Sequence, residues 1–370
     1  MILLSLSTVS YATDEILEEQ KQALNISEFL NEAKKYTKDT FPNLNVEELL
    51  NSAVEGKVDN NVLYKNVLSL FGKEVVGVLR ILASVLIIVI IHTILKSVSD
   101  GLENKGVSQI TYFVQYILIV TIVMTSFWEV IKITKDSIQN LIGFTYSLFP
   151  ILLALIVSTG SIVSASVIQP LILFAIAFIG SVIQNAIIPI LLIATVLGIV
   201  SNISDKVQID KLSKLFKSGI AWFLGVVITI FVGMLSLEGT LSSSVDGLTA
   251  KTTKAVVSNF VPVVGKALGD SVDTVLGCAS ILKNATGVVG IIIIVGICAM
   301  PIIKLTVLTV AFHLTGALCE PIADKNIVKV LGQMGDAFKI LLAIMFFIAV
   351  MLIVGISIII KISNSGMMYR

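Results

Sequence analysis

Two charged residues set in or beside an apolar stretch, Lys304 and Glu320, are the sharpest chemical features of this chain. A lysine at a bilayer centre costs roughly 2.5–3.5 kcal/mol on insertion scales, so such charges face protein, water or an interface and often mark an aqueous path. On one helix the 16 residues separating them span about 24 Å, too far to pair. A hairpin broken at Pro301 could bring them into contact. Gln169, Gln184 and Asn185 are the other polar residues inside apolar runs. For all five the plainer alternative is a hydrogen bond between helices. His92 and His313 lie near the ends of apolar runs, which fits polar groups at a membrane boundary better than metal ligands. Cys278, Cys298 and Cys319 stand far apart without a CxxC pair and read as small core residues. There is no GxxxxGK[ST], no HExxH and no GxSxG sequence. No enzyme, cofactor or metal site is expected.

The elements that must hold these groups follow from composition. Of the 370 residues, 56% are hydrophobic and only 14% charged, and the mean hydropathy is +0.98. Soluble domains carry about 25% charge, so the chain reads as an all-α, polytopic integral membrane bundle. Its net charge of +1 provides no field to recruit nucleic acid; membrane lipid is the expected surround.

The most organised stretch runs from Ala255 to Leu318. On a wheel of about 100° per residue, Lys266, Asp270 and Asp273 share one side, and Val264, Leu268, Val272, Val275, Ala279 and Leu282 the other. That is a surface helix with one apolar stripe, expected to lie against the membrane and hand over to a spanning helix from Ala285. Gly265-x-x-x-Gly269 is only a weak dimerisation pattern, because it lies outside an apolar 20-mer. Pro262, Gly265, Lys266, Asp270, Asp273, Lys283 and Asn284 are the candidate partner contacts of this region.

Along the chain, residues 1–12 read as a truncated signal peptide ending in Ser10-Tyr11-Ala12. Residues 13–74 form a polar, extracytoplasmic region of two or three short helices, packed on the membrane domain or a partner, or else a solvated spacer. Residues 75–361 form the membrane domain, with runs near the 20 residues a span needs at 75–95, 110–131, 141–157, 221–237 and 338–360. Leu171–Val200 is too long for one upright helix and is expected to divide at Gln184, Asn185 and Pro189; Ala285–Leu318 is expected to divide at Pro301. The total is eight or nine membrane segments, some broken or re-entrant. Ser158–Pro170, crowded with small residues, fits a tight turn or backbone lining a cavity. Lys206, Lys211, Lys214 and Lys217 mark the clearest positive-inside loop. The long loop 238–284 then lies outside the cytoplasm, and 362–370 is a C-terminal tail.

The segment NFVPVVGKALGDSVDTVLGCASILKNATGVVG, from Asn259, resembles the signature region of the stage III sporulation protein AE family of endospore-forming Firmicutes. YSLFPILLALIVSTGSIVSASVIQPLILF, from Tyr146, is similar to that family's other recognisable segment. The resemblance covers essentially the whole chain. It implies a sporulation protein of the mother-cell membrane around the forespore, part of a channel or feeding-tube complex needed for late forespore gene expression. The implied partners are other stage III sporulation membrane proteins and, through them, a forespore membrane protein; a homo-oligomer is compatible with this. The residues themselves leave open a permease-like transporter of a small solute, built on the broken helices.

Overall fold

The computed structural model describes residues 16–24, 26–38, 45–57, 60–100, 105–159, 161–203, 209–233 and 265–368. The expected signal peptide, Pro262 and most of the loop 238–284 lie outside the described residues. The helices are α1 (16–23), α2 (Ile26–Thr37), α3 (Val46–Val54), α4 (Asn60–Asp100), α5 (Lys105–Ser158), α6 (Ile162–Val182), α7 (Ile188–Val200), α8 (Asp210–Gly233), α9 (Gly265–Cys319) and α10 (Lys325–Met368). A π-helical turn, Ile183–Ile187, joins α6 to α7. No strand occurs among the described residues. The protein is a polytopic helical membrane protein.

Six of the described helices are long and apolar enough to cross a membrane. The eight or nine expected segments reduce to six because three expected breaks are continuous. Lys132, Lys135 and Asp136, read as a link between spans, lie inside α5. Pro301 lies inside the 55-residue α9, so the expected hairpin is not formed. Gln184 and Asn185 fall in the π turn and Pro189 opens α7, so that helix bulges without reversing. Hydropathy registers each polar interruption but not whether the chain turns there. A proline costs one backbone hydrogen bond, and a packed membrane helix tolerates it when neighbours re-satisfy the freed groups.

Ser158–Pro170 does contain a real break, shorter than expected. Thr159 closes α5 with its amide on the Leu155 and Ile156 carbonyls, and α6 begins at Ile162 with Pro170 in its interior.

The small N-terminal helices are specified locally. Asn45 caps α3, its Oδ1 accepting from the amides of Glu47 (3.2 Å) and Glu48 (3.5 Å). Gly56 follows the helix at φ 71°, the left-handed backbone that glycine adopts without strain. Their apolar faces are buried: Ile26, Phe29 and Leu30 on α2, Val46 and Leu50 on α3. Phe29 and Tyr36 seat on Phe144 of α5 at ring-centroid distances of 6.0 and 5.8 Å. Gln20 donates to the Val275 carbonyl of α9 at 3.1 Å. The polar region therefore docks on one end of the bundle.

The frame of the bundle is the α9–α10 pair with α5 against it. Phe338 of α10 sits between Phe127 (5.8 Å) and Phe312 (5.2 Å). Close approaches within this frame occur at two glycines of α9. A β-carbon on Gly287 would collide with Ile360, and one on Gly290 would lie 2.7 Å from Leu148. Small residues at such crossings let membrane helices approach. Lys283 binds the Ile360 carbonyl, so the far end of α10 returns to the end occupied by α1–α3. Four buried threonines are satisfied within their own helices: Thr134, Thr145, Thr195 and Thr315 each donate to the carbonyl four residues earlier.

Candidate functional site

Two polar features stand out on a mostly apolar bundle. The first is a stripe on α5. Thr121, Thr125, Glu129, Lys132, Asp136, Gln139 and Asn140 are all exposed and recur every three or four residues, so they share one helix face. The opposite face, including Val123, Phe127, Val130, Thr134, Ile138 and Leu141, is buried. From Thr121 to Gln139 the stripe covers about 27 Å at 1.5 Å per residue, close to the roughly 30 Å thickness of a bilayer core.

Neighbouring helices meet both flanks of the stripe. Lys304 of α9 pairs with Glu129 at 2.7 Å; the lysine side chain is 15% exposed and the carboxylate 60%. Gln184 of the π turn donates to Gln139 at 3.4 Å, and Asn185 donates to Ser181 one turn back at 3.2 Å. π turns recur at functional sites because they re-aim side chains out of the α-helical register. Glu129 faces the surroundings even though it is paired, and lipid cannot solvate an exposed carboxylate.

The sequence candidates are distributed as follows. Lys304 pairs with Glu129 and not with Glu320, which is exposed at the turn after α9. The expected Lys304–Glu320 contact depended on a hairpin at Pro301, and α9 keeps the two far apart along one helix. Gln184 and Asn185 flank the stripe. Gln169 lies within α6, and Gly265, Lys266, Asp270 and Asp273 lie in the first turns of α9; their side chains are outside the described ones. Lys283 is fully buried and donates to the Ile360 carbonyl at 3.0 Å. Beside it, Asn284 Oδ1 and Thr286 Oγ1 are buried without a hydrogen-bond partner among the described residues. Of the expected apolar stripe on α9, Ala279 and Leu282 are buried, whereas Val275 is 43% exposed.

The second feature is a cavity of about 600 Å³ where the end of α7, the start of α8 and the first turns of α10 meet. Its floor is a hydrogen-bonded set. Asn202 donates to the Gly198 carbonyl and to Gln333 Oε1, both at 2.9 Å. Gln333 donates to Asp210 at 3.2 Å, and Asp210 pairs with Lys214 at 2.7 Å. Lys217 donates to the Gln333 carbonyl at 3.2 Å. Lys211, Lys329, Asn326 and Asp336 complete the rim.

Glu129, Asn202 and Gln333 were not among the sequence candidates. Glu129 follows Trp128 at the end of an apolar run, where charge looks ordinary. The signal available was the three- and four-residue recurrence of polar groups from Thr121 to Asn140, which segmentation into separate spans conceals.

Comparison with known proteins adds the following. The family model described as stage III sporulation protein AE matches residues 44–363. A curated relative, stage III sporulation protein AE of Bacillus subtilis (strain 168), is 29% identical over 297 residues, covering 80% of this chain and 74% of the relative. No solved structure matches.

Proposed function

The chain belongs to the stage III sporulation protein AE family, and from that premise we propose that it is a membrane component of a multiprotein channel linking mother cell and forespore. In this reading it sits in the mother-cell membrane and is needed for late forespore gene expression. The observation that supports it most directly is the exposed polar stripe on α5, with Lys304 and Gln184 at its flanks. A stripe of bilayer length carrying charges of both signs is costly against lipid and stable against water or polar protein. It supplies one wall of a hydrophilic path, which partner proteins or further copies of this chain would complete.

Orientation follows from charge. Lys211, Lys214, Lys217, Lys325 and Lys329 lie at the end of the bundle opposite α1–α3. In this reading that end is cytoplasmic, because these lysines directly flank the spanning helices α8 and α10, as the positive-inside tendency favours. The helices α1–α3 and the start of α9 then face the space between the two membranes, where partner contacts form. No enzymatic step is proposed. A permease-like reading loses one of its two motivating breaks, since α9 runs unbroken through Pro301.

The test is made in sporulating cells. Glu129→Leu together with Asp136→Leu should insert normally, co-purify with the other stage III membrane proteins, and abolish late forespore gene expression. Single cysteines at Thr125 and Asp136 should react with a membrane-impermeant thiol reagent in the assembled complex. Normal sporulation of the double variant, with both cysteines unreactive, would overturn the channel-wall reading.

A further inference from the structure

The cavity between α7, α8 and α10 is not used by the stripe on α5, and its chemistry points to a ligand of its own. A volume of about 600 Å³ falls within the usual range for small-molecule sites, about 300–1,000 Å³. Its floor is ordered: Asn202 is 6% exposed, and its amide is held by Gly198 and Gln333. Its rim carries more positive than negative charge, with Lys211, Lys214 and Lys329 against Asp210 and Asp336.

Of the two carboxylates, Asp210 is already engaged. Asp210 accepts from both Lys214 and Gln333, and Asp336 lies 3.7 Å from His313. Among the described residues, neither Lys211 nor Lys329 forms an ion pair, and the Asn326 side chain stands one turn before Lys329 on the same rim. The free capacity is therefore two ammonium groups and an amide, arranged around an ordered polar floor. A cation would find Asp210 committed and Asp336 opposed by the two lysines. An anion with several acceptor oxygens would find donors on both sides.

We propose that this cavity binds a phosphate group, carried either by the headgroup of an anionic lipid or by a soluble phosphate compound. The phosphate sits between Lys211 of α8 and Lys329 of α10, with Asn326 donating to a third oxygen. Binding ties the start of α8 to α10 across the cavity. Neutral lipid headgroups, which present no net negative charge, are not retained. The proposal is independent of the channel reading, because it uses no residue of the α5 stripe and needs no partner protein.

The experiment uses the full-length chain in nanodiscs of phosphatidylcholine. In one arm phosphatidylglycerol is introduced and retained lipid is read by native mass spectrometry. In the other, inorganic phosphate is titrated by calorimetry. Each arm is repeated with Lys211→Gln/Lys329→Gln, with Lys329→Glu, and with the distant control Lys34→Gln, exposed on α2. Both lysines are exposed, so the variants should unfold at the wild-type midpoint. Loss of two charge-assisted contacts should weaken binding by about tenfold or more, while the control binds as wild type. Selective loss of phosphatidylglycerol identifies a lipid headgroup; selective loss of phosphate identifies a soluble ligand. Absence of binding in both arms, or equal binding by all variants, overturns the proposal.

Discussion

The spanning helices fall into two groups. In α9 and α10, 56% of the most apolar window is buried within the chain, whereas in α4 and α8 the figures are 22% and 17%. α5 belongs with the first group, at 50%, and also exposes a long polar face. The chain therefore contains an interior frame whose residues answer to one another, and peripheral helices whose apolar faces answer to something outside it. Leu79 of α4 and Trp222 of α8, 56% and 73% exposed, are typical of the second kind. Hydrophobicity is alike in the two groups, and what separates them is where it points.

That contrast can be tested by substitution. The largest loss should come from Phe338→Ala, which empties the space between Phe127 and Phe312; core aromatic truncations cost about 3–5 kcal/mol. Reversible unfolding in mixed micelles would measure it, and a negligible change would mean the frame is wrongly placed. Gly287→Val should follow at about 1–3 kcal/mol, the usual cost of overpacking, since its side chain must displace Ile360. Lys304→Met should cost less than about 1 kcal/mol, because its partner Glu129 is largely exposed and keeps its solvation. A much larger loss would show that Glu129 faces a dry surface, against the channel-wall reading. Trp222→Ala should change stability by no more than about 0.5 kcal/mol, as surface substitutions do. If it unfolds the protein, α8 is part of the frame.

Much of the architecture was legible in the sequence. Charge content and apolar run length fix a helical membrane protein. What hydropathy cannot read is direction. Pro301 and the Lys132–Asp136 cluster resemble breaks, yet both lie within continuous helices. The partner of Lys304 lies 175 residues away on α5, a distance no local pattern spans. Lys283 carries the same lesson in reverse. It was grouped with surface residues of an amphipathic segment and lies wholly inside the bundle.

The π turn at Ile183–Ile187 has a consequence for sequence length. A π turn is an α-helix holding one surplus residue, and each helical residue advances the chain by about 100° and 1.5 Å. Removing Ala186 would let the segment close into an ordinary helix and turn the whole of α7 by that angle. The Ile199 carbonyl, which Tyr116 reaches at 2.7 Å, would swing away, and Asn202 would leave Gln333. A lineage that lost this residue would have to regain one further along α7 to keep the two ends of the segment in phase, so length changes here should come in compensating pairs.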